Sequence, residues 1–166
     1  MQTQIINRRE LLAGSLGAAG AFALGGSFIA AADAAWALEV QHLKPKTMAT
    51  LVQMARDIYP HDRIGNEYYA IAVKGYDSAE QAPDIEAGVA MLDGMSGGSY
   101  LDIGWEADRV AVLRRMQETG FFQSVRGGLV TGLYNQQEVW PVFGYEGESY
   151  SKGGYIDRGF DDINWL

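Results

Sequence analysis

Three carboxylates near the end of the chain have a spacing that could support acid–base chemistry. Asp157, Asp161 and Asp162 lie close together in the sequence. Most glycoside hydrolases use two carboxylates that flank the scissile bond. Arg158 stands beside them, however, and carboxylates next to an arginine more commonly form structural ion pairs. The cluster also lacks the Asp-x-Asp-x-Asp-Gly order of a calcium loop. We therefore interpret it as structural.

The rest of the sequence offers few groups for catalysis or cofactor binding. His61, in Pro60-His61-Asp62, is a candidate general base. The sequence has no Gly-x-Ser-x-Gly motif, however, which would supply a serine nucleophile for it to activate. The glycine-rich residues 94–98 lack the lysine of a phosphate-binding loop. The chain has no cysteine and two histidines, which excludes disulfides, thiolate metal sites, covalent haem and cysteine-ligated clusters. The sequence therefore predicts no catalytic, cofactor-binding or metal-binding residue.

The amino-terminal residues have the pattern of an export signal. Arg8 and Arg9 are followed by the uncharged residues 11–32, as in twin-arginine signals, whose arginine pair is read by a receptor. The uncharged stretch is long enough to span a bilayer, but it is rich in Ala and Gly, which gain little from hydrocarbon. We therefore predict a twin-arginine signal and a periplasmic protein rather than a permanent anchor.

A cleavage site is predicted at the end of this segment. Ala35 and Ala37 flank Trp36 in an Ala-x-Ala pattern, with residues 30–32 and 32–34 as competing sites. Cleavage after Ala37 separates a signal at residues 1–37 from a helical domain at 38–143 and an extended tail at 144–166. The whole chain has a net charge of −8, so nucleic acid is not expected as a partner.

Apolar residues after position 44 follow helical spacing, and no run alternates with period two. The predicted helices cover residues 45–60, 66–77, 84–93, 105–118 and 121–133. We expect Asn66 to cap the second helix, Gly94 to end the third and Trp105 to lie on the apolar face of the fourth. Gly128 and Gly132 are expected to allow close packing within the molecule. The predicted fold is a small all-α domain of about five helices.

The last 33 residues differ in composition, because eight aromatic residues alternate there with five glycines. Each ring carries about 150–250 Å² of surface that favours burial, and one small core has limited room for them. We therefore predict an extended tail that binds a partner, with Arg158 holding one of the nearby aspartates. The candidate partner-binding residues are Tyr155, Arg158, Phe160, Asp161, Asp162 and Trp165.

Four segments of the chain, taken together, resemble those of a known protein family. They are residues 57–62 (DIYPHD), 85–89 (IEAGV), 143–147 (FGYEG) and 152–166 (KGGYIDRGFDDINWL). With the twin-arginine leader, they resemble the gluconate 2-dehydrogenase subunit 3 family over nearly the whole chain. We carry over no catalytic or cofactor-binding residue from that family.

The resemblance implies a small, cofactor-free subunit of a periplasmic sugar or polyol dehydrogenase. Family members commonly accompany a large flavin-dependent subunit and a cytochrome c subunit, so FAD is expected in the flavoprotein, and haem c in a third subunit where one is present. The resemblance also implies an escort, which supplies the export signal for the translocation machinery and supports maturation of the flavoprotein. Two alternatives stay open: an independent periplasmic enzyme that uses the tail carboxylates, and a ligand-binding module that uses the aromatic rings.

Overall fold

Five α-helices form most of residues 40–156, which are the residues that the computed structural model describes. They are α1 (Pro45–Ile58), α2 (Asn66–Val73), α3 (Ala82–Ser96), α4 (Glu106–Met116) and α5 (Gly120–Tyr134). Short 3₁₀-helices lie at Lys74–Tyr76, Tyr100–Asp102, Trp140–Phe143 and Tyr150–Lys152. No strand occurs in this part of the chain, and the all-α prediction is confirmed. None of its helices is long and apolar enough to cross a membrane.

Helix α1 lies at the centre of the domain. Pro45 occupies its first turn, where the missing N–H costs no hydrogen bond. Leu51, Met54 and Ala55 are fully buried, and α1 packs against each of the other four helices. Because α1 is covered on several sides, a polar side chain on its inner surface needs a partner from within the protein.

Two glycines of α5 allow close packing, one against α2 and one against the 3₁₀-helix that follows α2. A Cβ atom on Gly132 would lie 2.8 Å from the carbonyl oxygen of Ala72, which is too close for a side chain. Gly128 leaves room for Tyr76, whose hydroxyl donates a hydrogen bond to the Ser124 carbonyl oxygen (3.0 Å). The two glycines therefore serve packing within the molecule, as expected from their spacing.

Most helix ends differ from the predicted ranges by a few residues, and at two of them the expected capping residue has another role. A glycine inside a helix costs only about 1 kcal/mol, so α3 continues past Gly94 and ends at Gly97, which has a left-handed φ of 72°. Asn66 is the first residue of α2 and not its cap. Its side-chain oxygen instead accepts a hydrogen bond from Arg56 of α1 (3.0 Å). This oxygen therefore bonds to another helix and not to a backbone N–H group of α2.

Helix α4 confirms the predicted burial of Val112, Leu113 and Met116. The expectation that Trp105 packs with them is wrong, because Trp105 is 78% exposed. Its backbone is extended (φ −101°, ψ 132°) and precedes the first helical turn. Its side chain therefore does not follow the helical spacing from which its burial was expected.

The carboxylate of Asp77 ties the start of the described chain to the domain. It accepts hydrogen bonds from the backbone N–H groups of Gln41, His42 and Leu43, at 2.7 to 2.8 Å. We call this arrangement the Asp77 clamp. Residues 41–43 are therefore held beside the 3₁₀-helix that follows α2.

Candidate functional site

The structure describes one of the predicted site residues, Tyr155, which is 67% exposed. The predicted residues outside the described part of the chain are Arg8, Arg9, Ala35 and Ala37 near its start, and Arg158, Phe160, Asp161, Asp162 and Trp165 near its end. The candidate site is therefore built from residues 140–156, which include the end of the predicted helical domain and the described part of the predicted tail.

Large apolar side chains of this segment are exposed to solvent. We call them the tail surface, which consists of Phe143, Tyr145, Tyr150, Tyr155 and Ile156. The exposed fraction rises from 49% at Phe143 to 92% at Tyr150. Phe143, Tyr145 and Tyr155 border a shared recess of about 360 Å³. Three of these rings therefore share one part of the surface, and the other two side chains lie near them in the sequence.

Glycine turns give the tail its path. Gly144 ends the 3₁₀-helix at Trp140–Phe143 with a φ of 72°, and Gly153 ends the one at Tyr150–Lys152 with a φ of 85°. Both values lie in the left-handed region, which glycine adopts without a steric penalty. The glycines that alternate with rings in the sequence therefore turn the backbone between short helical segments.

Trp140 fixes the start of the tail to α5. Its indole N–H donates a hydrogen bond to the Tyr134 carbonyl oxygen (2.8 Å), and its ring meets Tyr145 edge-on at 5.1 Å between centroids. The preceding residue, Val139, is buried in the core. The tail surface therefore begins at a fixed point on the domain.

A second set of rings joins the tail to the loop after α1. We call it the ring cluster, and its members are Tyr59, His61, Tyr134 and Phe143. Each contact is edge-to-face: His61 meets Phe143 at 5.0 Å and Tyr134 at 5.7 Å, and Tyr134 meets Tyr59 at 5.8 Å. The Nε2 atom of His61 also lies 2.8 Å from the Tyr134 hydroxyl. Such pairs contribute about 0.5–1.5 kcal/mol each beyond simple burial.

The surroundings of His61 favour its neutral form. Burial lowers its pKa below the ordinary value, and the positive charge of Arg56 lowers it further. The hydrogen-bond partner of His61 is a phenol in an aromatic cluster and not a serine nucleophile. We therefore regard His61 as the residue that holds Phe143, and with it the start of the tail surface, against the domain.

The domain also contains a buried ion pair that the sequence analysis missed. Arg109 donates to both carboxylate oxygens of Asp57, at 2.7 and 2.9 Å, and to the Ile103 carbonyl oxygen at 3.0 Å. The Tyr100 hydroxyl donates to Asp57 at 2.7 Å. Burial raises the pKa of Tyr100 and the Asp57 charge raises it further, while the hydrogen bond from Arg109 to Asp57 raises the pKa of Arg109.

A signal for this pair was present in the sequence. Thr50, Met54 and Asp57 share one helical face of α1, and all three are buried. A carboxylate on a buried face requires a cation or several hydrogen-bond donors. The partner itself, Arg109, lies 52 residues away among the charged residues of α4, and no local pattern distinguishes it from the other arginines there.

The described residues contain no group of three or more His, Asp or Glu side chains that could hold a metal ion. No protein-family model matches the chain, and the curated proteins and the solved structures give no significant match either.

Proposed function

We propose that this chain is the non-catalytic small subunit of a periplasmic FAD-dependent sugar or polyol dehydrogenase. In this role it binds the flavoprotein subunit, escorts it through twin-arginine export and supports its maturation and stability. The observation that carries the proposal is the tail surface, a group of exposed rings on a domain whose core is filled without them.

The core leaves the tail surface without a place inside the domain. All five helices contribute fully or nearly fully buried apolar side chains, among them Leu51, Tyr69, Leu92, Met116 and Leu129. No residue from 144 to 156 is buried. Grouped apolar side chains on a soluble protein typically mark a contact with another molecule, and aromatic rings are prominent among the residues that dominate such contacts.

Attachment of the tail to the domain favours tight binding. The ring cluster and the Trp140 hydrogen bond hold the first tail residues before any partner arrives. A surface that is already ordered loses less conformational entropy on association. The first rings of the tail surface, Phe143 and Tyr145, are therefore in position before a partner binds.

The export signal and the family resemblance support the identity of the partner. Arg8 and Arg9 address the chain to a route that carries folded proteins, which suits a subunit that binds its partner before export. The resemblance of residues 143–147 and 152–166 to a dehydrogenase small-subunit family includes most of the tail surface. Together they favour a flavoprotein that lacks its own signal.

Co-purification tests the proposal. The full chain, tagged at a position away from both termini, is expressed in its source organism and isolated from the periplasm. We expect a larger chain to accompany it in a fixed ratio and to show a flavin absorbance spectrum. Isolation of the chain without a partner, or a flavin bound to this chain expressed alone, would contradict the proposal.

An export variant gives this experiment its control. Replacing the arginine pair by lysines (Arg8→Lys with Arg9→Lys) keeps the charge but changes the side chains that the receptor reads. We expect both the small subunit and the flavoprotein to stay in the cytoplasm. Normal periplasmic amounts of the flavoprotein in this variant would show that it is exported without the escort.

A further inference from the structure

A polar cleft of about 470 Å³ opens beside the ring cluster, a size within the range of small-molecule sites. It lies between the end of α1, the loop at residues 60–65 and the start of α4. The side chains that decide its chemistry are Arg56, Asp57, His61, Asp62, Glu106 and Arg109. The escort role proposed above makes no use of this cleft.

The base of the cleft is held in position. The side chains of Asp57 and Arg109 are 3% and 12% exposed and form the bidentate pair. Three of the five N–H groups of the Arg109 guanidinium are used by Asp57 and Ile103. The remaining two N–H groups are fixed in direction by the same contacts, because the guanidinium is planar.

One wall of the cleft is equally ordered. The Nη1 atom of Arg56 donates to the Ile64 carbonyl oxygen and to the Asn66 side chain, both at 3.0 Å. The guanidinium also lies over the Tyr69 ring, 5.0 Å from its centroid. The Nε and Nη2 donors of Arg56 are not used by these contacts, so this wall offers hydrogen-bond donors whose position is fixed before a ligand binds.

The rim of the cleft supplies acceptors. Asp62 and Glu106 are exposed, and within residues 40–156 the structure shows no hydrogen bond or ion pair of either carboxylate. His61 uses Nε2 for Tyr134 and keeps Nδ1 for another partner. Fixed donors and available acceptors thus occur within the same cleft.

The charge of the cleft restricts its ligand. Two arginines face three carboxylates, which leaves a net charge of −1 with His61 neutral. An anionic ligand is disfavoured by this balance. Hydroxyl groups both donate and accept, and charged partners give the stronger hydrogen bonds. We infer that the cleft binds a neutral polyhydroxylated molecule, a sugar or a sugar alcohol, between Arg56 and the carboxylates of Asp62 and Glu106.

Binding of glucitol to the full chain tests this inference without the partner subunit. We expect saturable binding with a dissociation constant on the order of 1 mM, measured by titration calorimetry and by saturation-transfer NMR. Gluconate, a similar molecule with a negative charge, should bind more weakly. Equal affinity for gluconate, or no saturation at about 100 mM glucitol, would overturn the inference and leave the escort role untouched.

Variants at the rim locate the binding site. The double variant Asp62→Ala with Glu106→Ala should weaken glucitol binding about tenfold or more, because it removes two charged acceptors. Glu118→Ala removes a comparably exposed carboxylate outside the cleft and should leave the affinity unchanged. Circular dichroism confirms that each variant is folded. If the double variant binds glucitol as the wild type does, the cleft is not the site.

Discussion

The helical domain and the tail surface place large apolar side chains in opposite ways. In the domain, Tyr69 and Tyr100 are fully buried, and their hydroxyls donate to Tyr59 and Asp57. In the tail, Tyr150 and Tyr155 are mostly exposed. The same residue type therefore stabilises the fold in one region and is available for binding in the other. Substitutions should separate the two roles.

The largest effect is expected in the domain, at the buried ion pair. Asp57→Ala leaves Arg109 buried without its counter-charge, which should lower the free energy of unfolding by about 3–5 kcal/mol. Urea denaturation followed by circular dichroism measures it. Glu118→Ala, on the surface, should change stability by less than about 0.5 kcal/mol. A similarly small loss for Asp57→Ala would show that the pair contributes little to the domain.

The tail should show the reverse behaviour. Tyr150→Ala with Tyr155→Ala should weaken capture of the partner by about 30-fold or more, since aromatic hot spots contribute at least about 2 kcal/mol. Domain stability should stay within about 0.5 kcal/mol, because neither ring is buried. Trp105→Ala is the matched control, as its ring is also exposed but lies outside the tail. An equal loss of capture in Trp105→Ala would contradict a specific role for the tail.

A smaller effect is expected where α2 meets α5. Gly132→Ala places a methyl group against the Ala72 backbone, whereas a Cβ on Gly127 of the same helix meets nothing. Both substitutions gain the same helix propensity, so their difference in unfolding free energy reports the overpacking alone, about 1–3 kcal/mol. Equal melting temperatures for the two variants would show that α2 and α5 move apart to accommodate the methyl group without a loss of stability.

The smallest effect concerns the link between the two regions. The His61 pKa is lowered in the folded chain by burial and by Arg56, and Tyr134 and Phe143 lie edge-on against its ring. The folded state therefore binds its proton less readily than the unfolded state. Stability from this residue should be complete above about pH 6.5 and decline as the pH falls through the lowered pKa.

His61→Gln removes this titration and serves as the comparison. Unfolding of the wild type and of His61→Gln is measured from about pH 7.5 to 5.5, and the difference between them should shrink towards the acid end. Parallel curves would show that His61 does not contribute to the pH dependence. Near-ultraviolet circular dichroism follows the ring cluster in the same samples.

The all-α class and the five helices could be predicted because apolar spacing is local information. The end of α3 could not, since residues 94, 97 and 98 are all glycines and the sequence does not say which one adopts the left-handed conformation. Trp105 was misplaced because helical spacing was extended one residue before the helix begins. In both cases the error lies at a helix end, where short-range patterns carry the least information.

The candidate site was predictable only in part. Composition indicated an aromatic tail with exposed rings. The ring cluster could not be foreseen, because it joins His61 to residues more than 70 positions away. The polar cleft depends on Arg56 and Arg109, which come from different helices, and a single sequence without covariation does not show which arginine faces which loop.

The Asp77 clamp sets how many residues separate the predicted cleavage site from the folded domain. The predicted cleavage after Ala37 leaves residues 38–40 between the cut and the clamped Gln41. Three residues can span at most about 10 Å, which is comparable to the diameter of one helix with its side chains. If the leader is cut at this position, a peptidase that requires an extended substrate would have to dock against the domain itself. The surface beside Asp77 would then influence which of the alanine-flanked bonds is cut.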